Sequence, residues 1–514
     1  MNRVVALVLV VALALGGGAI VGLAALDSLT GDDPVAVPTT TPQPGATVAP
    51  RPALAPYYEQ QLGWEECRGR FLCATLTVPL DYRDASGDTL DLALLKVPAA
   101  DPDRRIGSLV VNPGGPGAPG TDYAAQAEAV FREPLLDAYD IVGFDPRGTG
   151  ASDPVDCLTD EQLDQYVAED PDPDTAGEVA EYVGWVEAFG AGCAERSGAL
   201  AAHVSTVEAA RDMDVLRAAL GESTLTYFGA SYGTKLGATY ADLFPAKVGR
   251  LVLDGAVDLS IDSRRLSLEQ AGGFETAIRA YVEDCVAQGD CFLGDTVDAG
   301  LDRIKGLLDD VDADPLPTDS GRALRVGNAF YGVVLPLYNR DYWPILDRAL
   351  QTAFDGDGSA LLLLSDLYHS REGNRYTDNS TEANYAINCL DDPWAITPEE
   401  VPAQIPAFEE VSPTFGSVFA WGLTACLGVQ VEATERDRDI DAAGAAPILV
   451  VGTTRDPATP YRWAVNLAKQ LESGVLVTRD GDGHTGYNNG NACVDAAIED
   501  YLLDGTVPED GLRC

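Results

Sequence analysis

Lysine and arginine are scarce in this chain. They number 34 among 514 residues, against 81 aspartates and glutamates, and the formal net charge at pH 7 is −47. Nucleic acids and anionic membrane surfaces are bound through clusters of basic side chains, and the sequence has no such cluster. We therefore expect no nucleic-acid partner, and we interpret most of the acidic side chains as a solvated surface.

The usual metal-binding motifs are also missing. Neither Cys-x-x-Cys nor His-Glu-x-x-His occurs, which removes the common ligand sets for a structural or catalytic zinc ion. The acidic run at residues 170–174 lacks the glycine and the distal glutamate of a calcium loop, so we interpret it as a surface loop. The sequence predicts no metal and no cofactor.

The N-terminus carries one long apolar run. Arg3 precedes the uncharged residues 4–26, and three aspartates follow them. This pattern is typical of an export signal. The run is just long enough to span a bilayer, yet Gly22-Leu23-Ala24 is an acceptable cleavage site, so a secreted and a membrane-anchored form both remain open. In either case we expect residues after 26 to lie outside the cytoplasm.

Ten cysteines follow this run. In an exported chain an even number of cysteines indicates disulfides. Spacing alone does not determine connectivity, although two of the pairs are close enough to form small local loops. We predict sequential pairing, as Cys67–Cys73, Cys157–Cys193, Cys285–Cys291, Cys389–Cys426 and Cys493–Cys514.

The order of strand-like and helix-like runs predicts an α/β protein. Two early strands at 75–80 and 90–97 are expected to pair as an antiparallel edge. Later strands alternate with helices, which predicts a mostly parallel central sheet with helices on both faces. A stretch of acidic helical segments then interrupts the strands, and strands at 446–452 and 474–477 complete the sheet.

These patterns divide the chain into five parts. The export signal or anchor is followed by a Pro/Thr/Ala-rich extended linker, and the folded part is expected to start near Tyr57. The parts are a signal or anchor at 1–26, a linker at 27–56, the first half of the sheet domain at 57–259, a helical cap insertion at 260–400 and the completion of the sheet domain at 401–514.

Gly229-Ala230-Ser231-Tyr232-Gly233 follows a β-prone run and precedes a helical one. Gly-x-Ser-x-Gly is typical of a nucleophile elbow, a sharp turn from strand to helix that exposes the serine hydroxyl. Side chains two residues before and two after the serine would clash in this turn, so Gly229 and Gly233 are expected to be a steric requirement. The pentapeptide alone is a weak signal, and the remaining groups of a site must support it.

Two glycine-rich loops follow predicted strands upstream of the elbow. Pro113-Gly114-Gly115-Pro116-Gly117 comes directly after the strand 107–112, where backbone N–H groups can stabilise an oxyanion. We predict that Gly115 and Tyr232 supply the oxyanion hole. In the second loop, Asp145 and Arg147 are expected to form an ion pair that braces the loops near Ser231.

A serine nucleophile needs a base, and the chain has only three histidines. His203 and His369 are interpreted as surface or structurally satisfied residues. His484 lies in a loop after the last predicted strand, and Asp456 stands just past the strand before it. The order Ser231, Asp456, His484 is that of an α/β-hydrolase catalytic triad.

Taken together, these segments resemble the secreted bacterial tripeptidyl aminopeptidases, relatives of prolyl aminopeptidase. The resemblance covers residues 64–514 and implies the α/β-hydrolase fold with a helical cap. It also implies a serine exopeptidase that cleaves peptides near free N-termini and releases tripeptides or single residues. The segments that carry it are 113–117, 143–150, 229–233, 386–391, 456–460 and 483–484.

An aminopeptidase must also recognise the protonated α-amine of its substrate, which calls for a carboxylate over the cleft. The cap offers Glu382, Asp391 and Asp392, and we favour Asp391 because it lies in the segment 386–391 that resembles the family. The alternative is that these acids belong to the solvated negative surface.

Two other functions remain open from the sequence. A carboxylesterase or lipase would use the same triad, and a binding protein could keep the scaffold without turnover. An epoxide hydrolase or a dehalogenase would place aspartate at the elbow, so Ser231 argues against both. Nothing in the sequence indicates an oligomeric state.

Overall fold

A computed structural model describes residues 41–433 and 440–514. The apolar N-terminal run and the first part of the linker lie outside these residues. Within them, ten strands form one sheet in the order β1-β2-β3-β5-β4-β6-β7-β10-β11-β12, and β8 and β9 form a separate hairpin. The strands are β1 (Glu65–Cys67), β2 (Phe71–Pro79), β3 (Thr89–Val97), β4 (Gly107–Asn112), β5 (Tyr139–Phe144), β6 (Leu225–Ala230), β7 (Val248–Asp254), β8 (Arg371–Glu372), β9 (Arg375–Tyr376), β10 (Ile448–Arg455), β11 (Gly474–Asp482) and β12 (Leu512–Arg513).

The sheet is mostly parallel with an antiparallel edge. Strands β1 to β3 and the β3–β5 pair are antiparallel, whereas all pairs from β5 through β4 to β12 are parallel. Every residue of β4 and β5 is buried, as expected for parallel strands that are covered on both faces. This is the α/β-hydrolase arrangement, and the prediction of fold class is confirmed.

Helices cover both faces of the sheet. On one face of the sheet the helices contribute Met213, Leu236 and Leu467 to the apolar core. On the other face they contribute Leu135 and Ile498. The helices within the described residues are α1 (Ala55–Tyr58), α2 (Gly120–Ala125), α3 (Ala127–Val130), α4 (Glu133–Ala138), α5 (Asp160–Ala168), α6 (Ala176–Ser197), α7 (Thr206–Ala219), α8 (Tyr232–Leu243), α9 (Ser263–Gln288), α10 (Val297–Ala313), α11 (Val326–Val334), α12 (Trp343–Phe354), α13 (Ser359–Tyr368), α14 (Ser380–Asp391), α15 (Ile405–Val411), α16 (Gly416–Trp421), α17 (Tyr461–Gln470) and α18 (Ala492–Asp504).

Helix α7 shows how local sequence defines an element. The Ser205 side chain accepts a hydrogen bond from the N–H of Glu208 and caps the first turn. Gly221 follows the last turn with a φ of 79°, a conformation that glycine adopts without a side-chain clash. The helix therefore begins and ends where capping chemistry allows.

The helical cap extends beyond its predicted end at residue 400. Helices α9 to α13 share one apolar core, and α15 and α16 pack on α9 through the buried Phe408 and Trp421. A short 3₁₀ helix at Gly422–Gly428 follows, and the sheet resumes only at Ile448. The boundary was placed too early because short helices interrupted by proline and glycine give a weak helical pattern.

The linker also differs from its prediction. The N–H of Gln43 donates to the carbonyl of Gly221 at 2.8 Å, Ala46 and Leu54 are buried, and the carbonyl of Ala46 accepts a hydrogen bond from Arg217. The chain thus packs on the sheet domain well before Tyr57. Composition predicted an extended tether here, but Leu54 belongs to the same apolar core as the sheet.

The expected ion pair between Asp145 and Arg147 does not form. The guanidinium of Arg147 is fully buried and pairs with Asp212 at 2.7 Å. The carboxylate of Asp145 instead accepts hydrogen bonds from the backbone N–H groups of Thr121 and Ala151. The prediction was wrong because Asp212 lies in α7, and only the packing of α7 on the sheet brings it to Arg147.

All ten cysteines form disulfides in the predicted sequential pairing, so that prediction is confirmed. Disulfides indicate an oxidising compartment. None of the helices in the two described stretches combines the length and the apolar character needed to span a bilayer.

Candidate active site

Ser231 stands at the turn between β6 and α8. Its backbone has φ 56° and ψ −125°, a strained conformation for a residue with a side chain. The N–H of Ser231 donates to the carbonyl of Asp254 at the end of β7. The elbow is therefore held by the neighbouring strand, and its serine lies at the carboxyl edge of the parallel strands, where α/β proteins bind ligands.

The two glycines of the elbow are sterically required, as predicted. A Cβ on Gly229 would lie 2.4 Å from the carbonyl oxygen of Gly233, and a Cβ on Gly233 would lie 2.9 Å from the carbonyl oxygen of Asn112. Backbone atoms cannot yield to such contacts. The pattern Gly-x-Ser-x-Gly is thus a packing requirement of this turn.

The glycine-rich loop after β4 lies directly against the elbow. A Cβ on Gly114 would be 2.8 Å from the Cβ of Ser231 and 3.0 Å from the backbone nitrogen of Tyr232. On its other side the loop contacts α14, where the Asn384 amide donates to the carbonyl of Pro116. The loop therefore packs between Ser231 and the cap. It contains Gly115 and adjoins Tyr232, whose roles in the oxyanion hole stay predictions.

The imidazole of His484 is held by the carboxylate of Asp456. Nδ1 lies 2.9 Å from each carboxylate oxygen, and Asp456 is buried. Nε2 is also buried and has no hydrogen-bond partner among the described residues. The imidazole is thus oriented through Nδ1, and Nε2 remains without a protein partner among the described residues.

Ser231 and His484 both adjoin the peptide between Asp254 and Gly255. Ser231 donates to the carbonyl of Asp254, and the Cε1 of His484 lies 3.1 Å from the position a Cβ on Gly255 would occupy. The structure therefore brings the three predicted triad residues to one site, although 225 positions separate Ser231 from Asp456 in the sequence.

The comparisons with known proteins agree with this geometry. A family profile described as TAP-like protein matches residues 412–514. The serine protease Hip1 of Mycobacterium tuberculosis is 37% identical over 481 residues, which cover 89% of this chain and 92% of that protein. The tripeptidyl aminopeptidase of Streptomyces lividans is 31% identical over 470 residues, covering 88% of this chain and 86% of that protein. The chain belongs to the TAP-like family of α/β-hydrolases.

Another TAP-like relative carries a different name. Carboxylesterase B of Mycobacterium tuberculosis is 37% identical over 508 residues, covering 95% of this chain and 96% of that protein. The family resemblance predicted from the sequence is confirmed. The names of the relatives include both peptidase and esterase activities, so membership alone does not select one of them.

Two opposing effects set the pKa of His484 in this TAP-like protein. Burial lowers the pKa, whereas the charge and hydrogen bond of Asp456, together with the charge of Asp254, raise it. The carboxylates outweigh burial, and the pKa lies above the ordinary value of 6.5. The surroundings of His484 therefore favour its protonated, imidazolium form.

Thr459 is a site residue that sequence reasoning missed. Its hydroxyl donates to Asp456 Oδ2 at 3.0 Å, and its N–H donates to Asp456 Oδ1 at 2.8 Å. The N–H groups of Ala458 and Thr485 also donate to this carboxylate. The turn 456–459 has the form of an Asx-type loop, a signal in the sequence that identifies Thr459 as a partner of Asp456.

The cap contributes directly to the position of His484. The carbonyl of Tyr338 accepts a hydrogen bond from the N–H of His484 at 2.7 Å. The two rings pack edge to face with centroids 5.5 Å apart. A local sequence pattern could not identify this contact, because Tyr338 lies in a short 3₁₀ helix far from the triad in sequence.

The two acids predicted to bind the substrate amine have other partners. Asp391 pairs with Lys235 at 2.7 Å and accepts hydrogen bonds from the N–H and hydroxyl of Thr206. Glu382 accepts the N–H groups of Cys157 and Leu158. Neither carboxylate is presented free to a substrate, so the structure does not support this prediction; Asp391 instead docks α14 on the sheet domain.

The other two histidines lie away from the triad, as predicted. Nδ1 of His203 lies within hydrogen-bond distance, 2.9 Å, of a carboxylate oxygen of Glu208. His369 is buried in the cap, where its Nδ1 contacts the hydroxyl of Thr381, and burial lowers its pKa to about 3. The sequence left a surface and a structurally satisfied position open for His369, and the residue is buried because α13 ends inside the cap.

One group of side chains has the composition of a metal site. Ligand atoms of Asp81, His203 and Glu208 lie within 4.8 Å of one another. However, Arg83 pairs with Asp81, and Arg147 lies 3.6 Å from Glu208. The two guanidinium groups already neutralise these carboxylates, so we assign the group a structural role at the start of α7.

Proposed function

We propose that this protein is an extracytoplasmic serine peptidase that cleaves peptides near free N-termini through an acyl-enzyme on Ser231. The observation that carries the proposal is the His484 imidazole, held by Asp456 through Nδ1 and without a partner at Nε2 in the described residues. The relatives named as a serine protease and a tripeptidyl aminopeptidase support peptides as the substrate class.

The first half of the reaction forms the acyl-enzyme. The neutral imidazole of His484 removes the proton of the Ser231 hydroxyl as its oxygen attacks the scissile carbonyl carbon. N–H groups of Gly115 and Tyr232 stabilise the negative charge that develops on the carbonyl oxygen. The imidazolium then gives its proton to the leaving amine, and the C–N bond breaks.

The second half reverses these roles with water. His484 takes a proton from water, the resulting oxygen attacks the acyl carbon, and the proton returns to Ser231 as the ester bond breaks. The carboxylate of Asp456 stabilises the imidazolium in both halves. The backbone turn at Ser231 and the hydrogen-bonded turn around Asp456 are already formed without substrate. The reacting groups therefore need little rearrangement before proton transfer.

The proposed products are tripeptides or single residues released from a free N-terminus. The name of the Streptomyces relative supports the larger product. Asp391 and Glu382 do not support recognition of the amine, since protein donors already occupy both carboxylates. We infer that other groups of the cap contact the N-terminus of the substrate.

The proposed location is outside the cytoplasm, either secreted or held at the outer face of the membrane. The five disulfides support an oxidising compartment, and the apolar residues 4–26 provide the export signal. Fractionation of a host that expresses the full chain, with non-reducing gels to follow disulfides, tests this location.

Two measurements test the function. A fluorophosphonate probe should label Ser231 in the wild type and leave Ser231→Ala unlabelled. Peptide 4-nitroanilides with a free N-terminus should be cleaved faster than the same peptides with an acetyl cap. Absence of an adduct would favour a binding protein, and equal cleavage of free and capped peptides would favour an endopeptidase or esterase.

A carboxylesterase is the second candidate function. The relative named Carboxylesterase B is as similar to this chain as Hip1 is, and the same triad hydrolyses esters. Short acyl esters of 4-nitrophenol should be compared with free-amino peptides at equal enzyme concentration. Each kcat/KM is divided by the rate of uncatalysed hydrolysis of the same substrate, because esters are intrinsically more reactive than peptides. A larger corrected value for peptides supports the peptidase proposal.

A further inference from the structure

Asp254 is a buried acid beside the triad that the mechanism above does not use. It ends β7 and is 1% exposed. Its position in the sheet places it between Ala230, the residue before the nucleophile, and Val451 of β10. A buried carboxylate is costly unless it is hydrogen-bonded, so its partners indicate why it is there.

The side chain of Asp254 holds the loop that carries His484. One carboxylate oxygen accepts the N–H of Gly486 at 2.7 Å, and the other accepts the N–H of Tyr487 at 2.9 Å. These residues are two and three positions after the base. Both oxygens are therefore used to fix the path of the chain just after His484.

The main chain of Asp254 holds the nucleophile at the same time. Its carbonyl accepts the N–H of Ser231 at 2.8 Å. Ser231 and the histidine loop are far apart in sequence and are joined through this one residue. A shift of Asp254 would move the two reacting groups relative to each other, and small displacements of this kind are costly in catalysis.

Asp254 also faces charged and titratable groups of the site. Its charge raises the pKa of His484, while burial raises the pKa of Asp254 itself to about 6. Arg479 donates hydrogen bonds to carbonyls of the same loop, at Asp482, Thr485 and Asn489. The groups that interact electrostatically with Asp254 are His484, Asp456, Tyr123 and Arg479.

We propose that Asp254 is a positioning residue for the reaction, which fixes the histidine loop with its carboxylate and the nucleophile with its carbonyl. Its negative charge adds to that of Asp456 in stabilising the imidazolium of His484. This inference rests on the proposed function, since it assumes that Ser231 and His484 react. Asp254 does not touch substrate, and its effect is expected in kcat and in the pH profile rather than in KM.

The test is Asp254→Asn. The asparagine side chain has no charge. Its NH₂ group would face the N–H of either Gly486 or Tyr487, so that two donors meet and one hydrogen bond is lost. We expect kcat per active site to fall roughly 10- to 100-fold, as for other small displacements of reacting groups, with KM within about twofold. We also expect the acid limb of kcat/KM to move to lower pH, because the loss of a negative charge lowers the pKa of His484.

Asp140→Asn is the matched control. Asp140 is also buried and also accepts a backbone N–H, from Ala99, but it lies near the start of β5, at the amino ends of the parallel strands. Fluorophosphonate titration gives the concentration of active sites in each variant. The control should keep the wild-type kcat per site and the wild-type acid limb.

The outcomes separate this role from simple stability and from the proposed function. Asp254→Asn could give fewer active sites while kcat per site and the acid limb stay at their wild-type values. This result would mean that Asp254 serves only stability, and it would overturn the proposed positioning role. If Asp254→Asn is insoluble, Asp254→Ser removes the charge in a smaller side chain, and a wild-type acid limb there overturns the role equally. Wild-type protein that does not label at Ser231 would instead refute the proposed function.

Discussion

The sheet and the cap hold the candidate base in different ways. From the sheet side, Asp456 contacts the ring of His484 and Asp254 holds its loop, both through buried carboxylates. From the cap side, Tyr338 contributes a backbone carbonyl and an aromatic ring. The sheet-side contacts to His484 and its loop come from charged carboxylates, which raise the pKa of His484. The contact from the cap is uncharged and restricts only the position of His484.

The difference extends to the acids of the two regions. Asp456 on the sheet side contacts the imidazole of His484. Asp391 and Glu382 of α14 instead hold the cap to the rest of the protein. Changes on the sheet side should therefore affect turnover, and changes at the cap acids should affect stability. The predictions below test this division.

The largest expected effect is that of Ser231→Ala. Removal of the nucleophile should lower kcat by about 10⁶-fold with little change in the melting temperature, because the hydroxyl contributes little to packing. Rates with a peptide nitroanilide and thermal unfolding measure the two effects. Ser267→Ala in α9, whose hydroxyl donates to the carbonyl of Phe419, is the control and should keep full activity. Substantial turnover by Ser231→Ala would remove it as the nucleophile.

Asp456→Asn should follow, with a loss of roughly 10⁴ in kcat. The amide cannot stabilise the imidazolium and favours the wrong tautomer of His484. KM should change little, because Asp456 is buried beneath the imidazole. Steady-state kinetics at several pH values give both constants. Activity close to the wild type would show that another acid orients His484.

Asp391→Asn should act on stability. It removes the ion pair between Asp391 and Lys235, and breaking a mostly buried ion pair costs about 3 kcal/mol. We expect a lower urea midpoint and equal changes in activity toward free-amino and acetyl-capped peptides. The exposed neighbour Asp392 offers the control Asp392→Asn. A rise in KM confined to free-amino peptides would restore the prediction that Asp391 binds the substrate amine.

The smallest effect is expected in the pH profile of the wild type. His484 must be neutral to act as a base, and its pKa is raised above 6.5, so kcat/KM should fall as pH drops through a value above 6.5. His369→Gln should leave this limb in place, because burial keeps the pKa of His369 near 3. A profile that stays flat down to pH 5 would exclude His484 as the base.

Much of the site could be predicted because its signals are local. The elbow Gly229 to Gly233, the glycine-rich loop after β4 and the strand ends before Asp456 and His484 are each defined by a few neighbouring residues. In a parallel sheet the carboxyl ends of the strands meet at one edge. The order of strands and loops therefore predicted that Ser231, Asp456 and His484 would lie together.

The partners of the buried charges could not be predicted in this way. Arg147 pairs with Asp212 instead of Asp145, and Asp391 pairs with Lys235 instead of remaining open to a substrate. With 81 acidic residues in the chain, composition offers many partners for each cation. The choice among them depends on which helix packs on which face of the sheet.

The sequence by itself determined the α/β class and the three candidate triad residues, because turn sterics and strand alternation operate over short distances along the chain. Only the tertiary structure decided which carboxylates contact His484 and its loop and which hold the cap. It also revealed Asp254 as the link between Ser231 and the loop of His484. The physical reason is that hydrogen bonds and ion pairs act over a few ångströms in space, between residues that the fold brings together from distant parts of the chain.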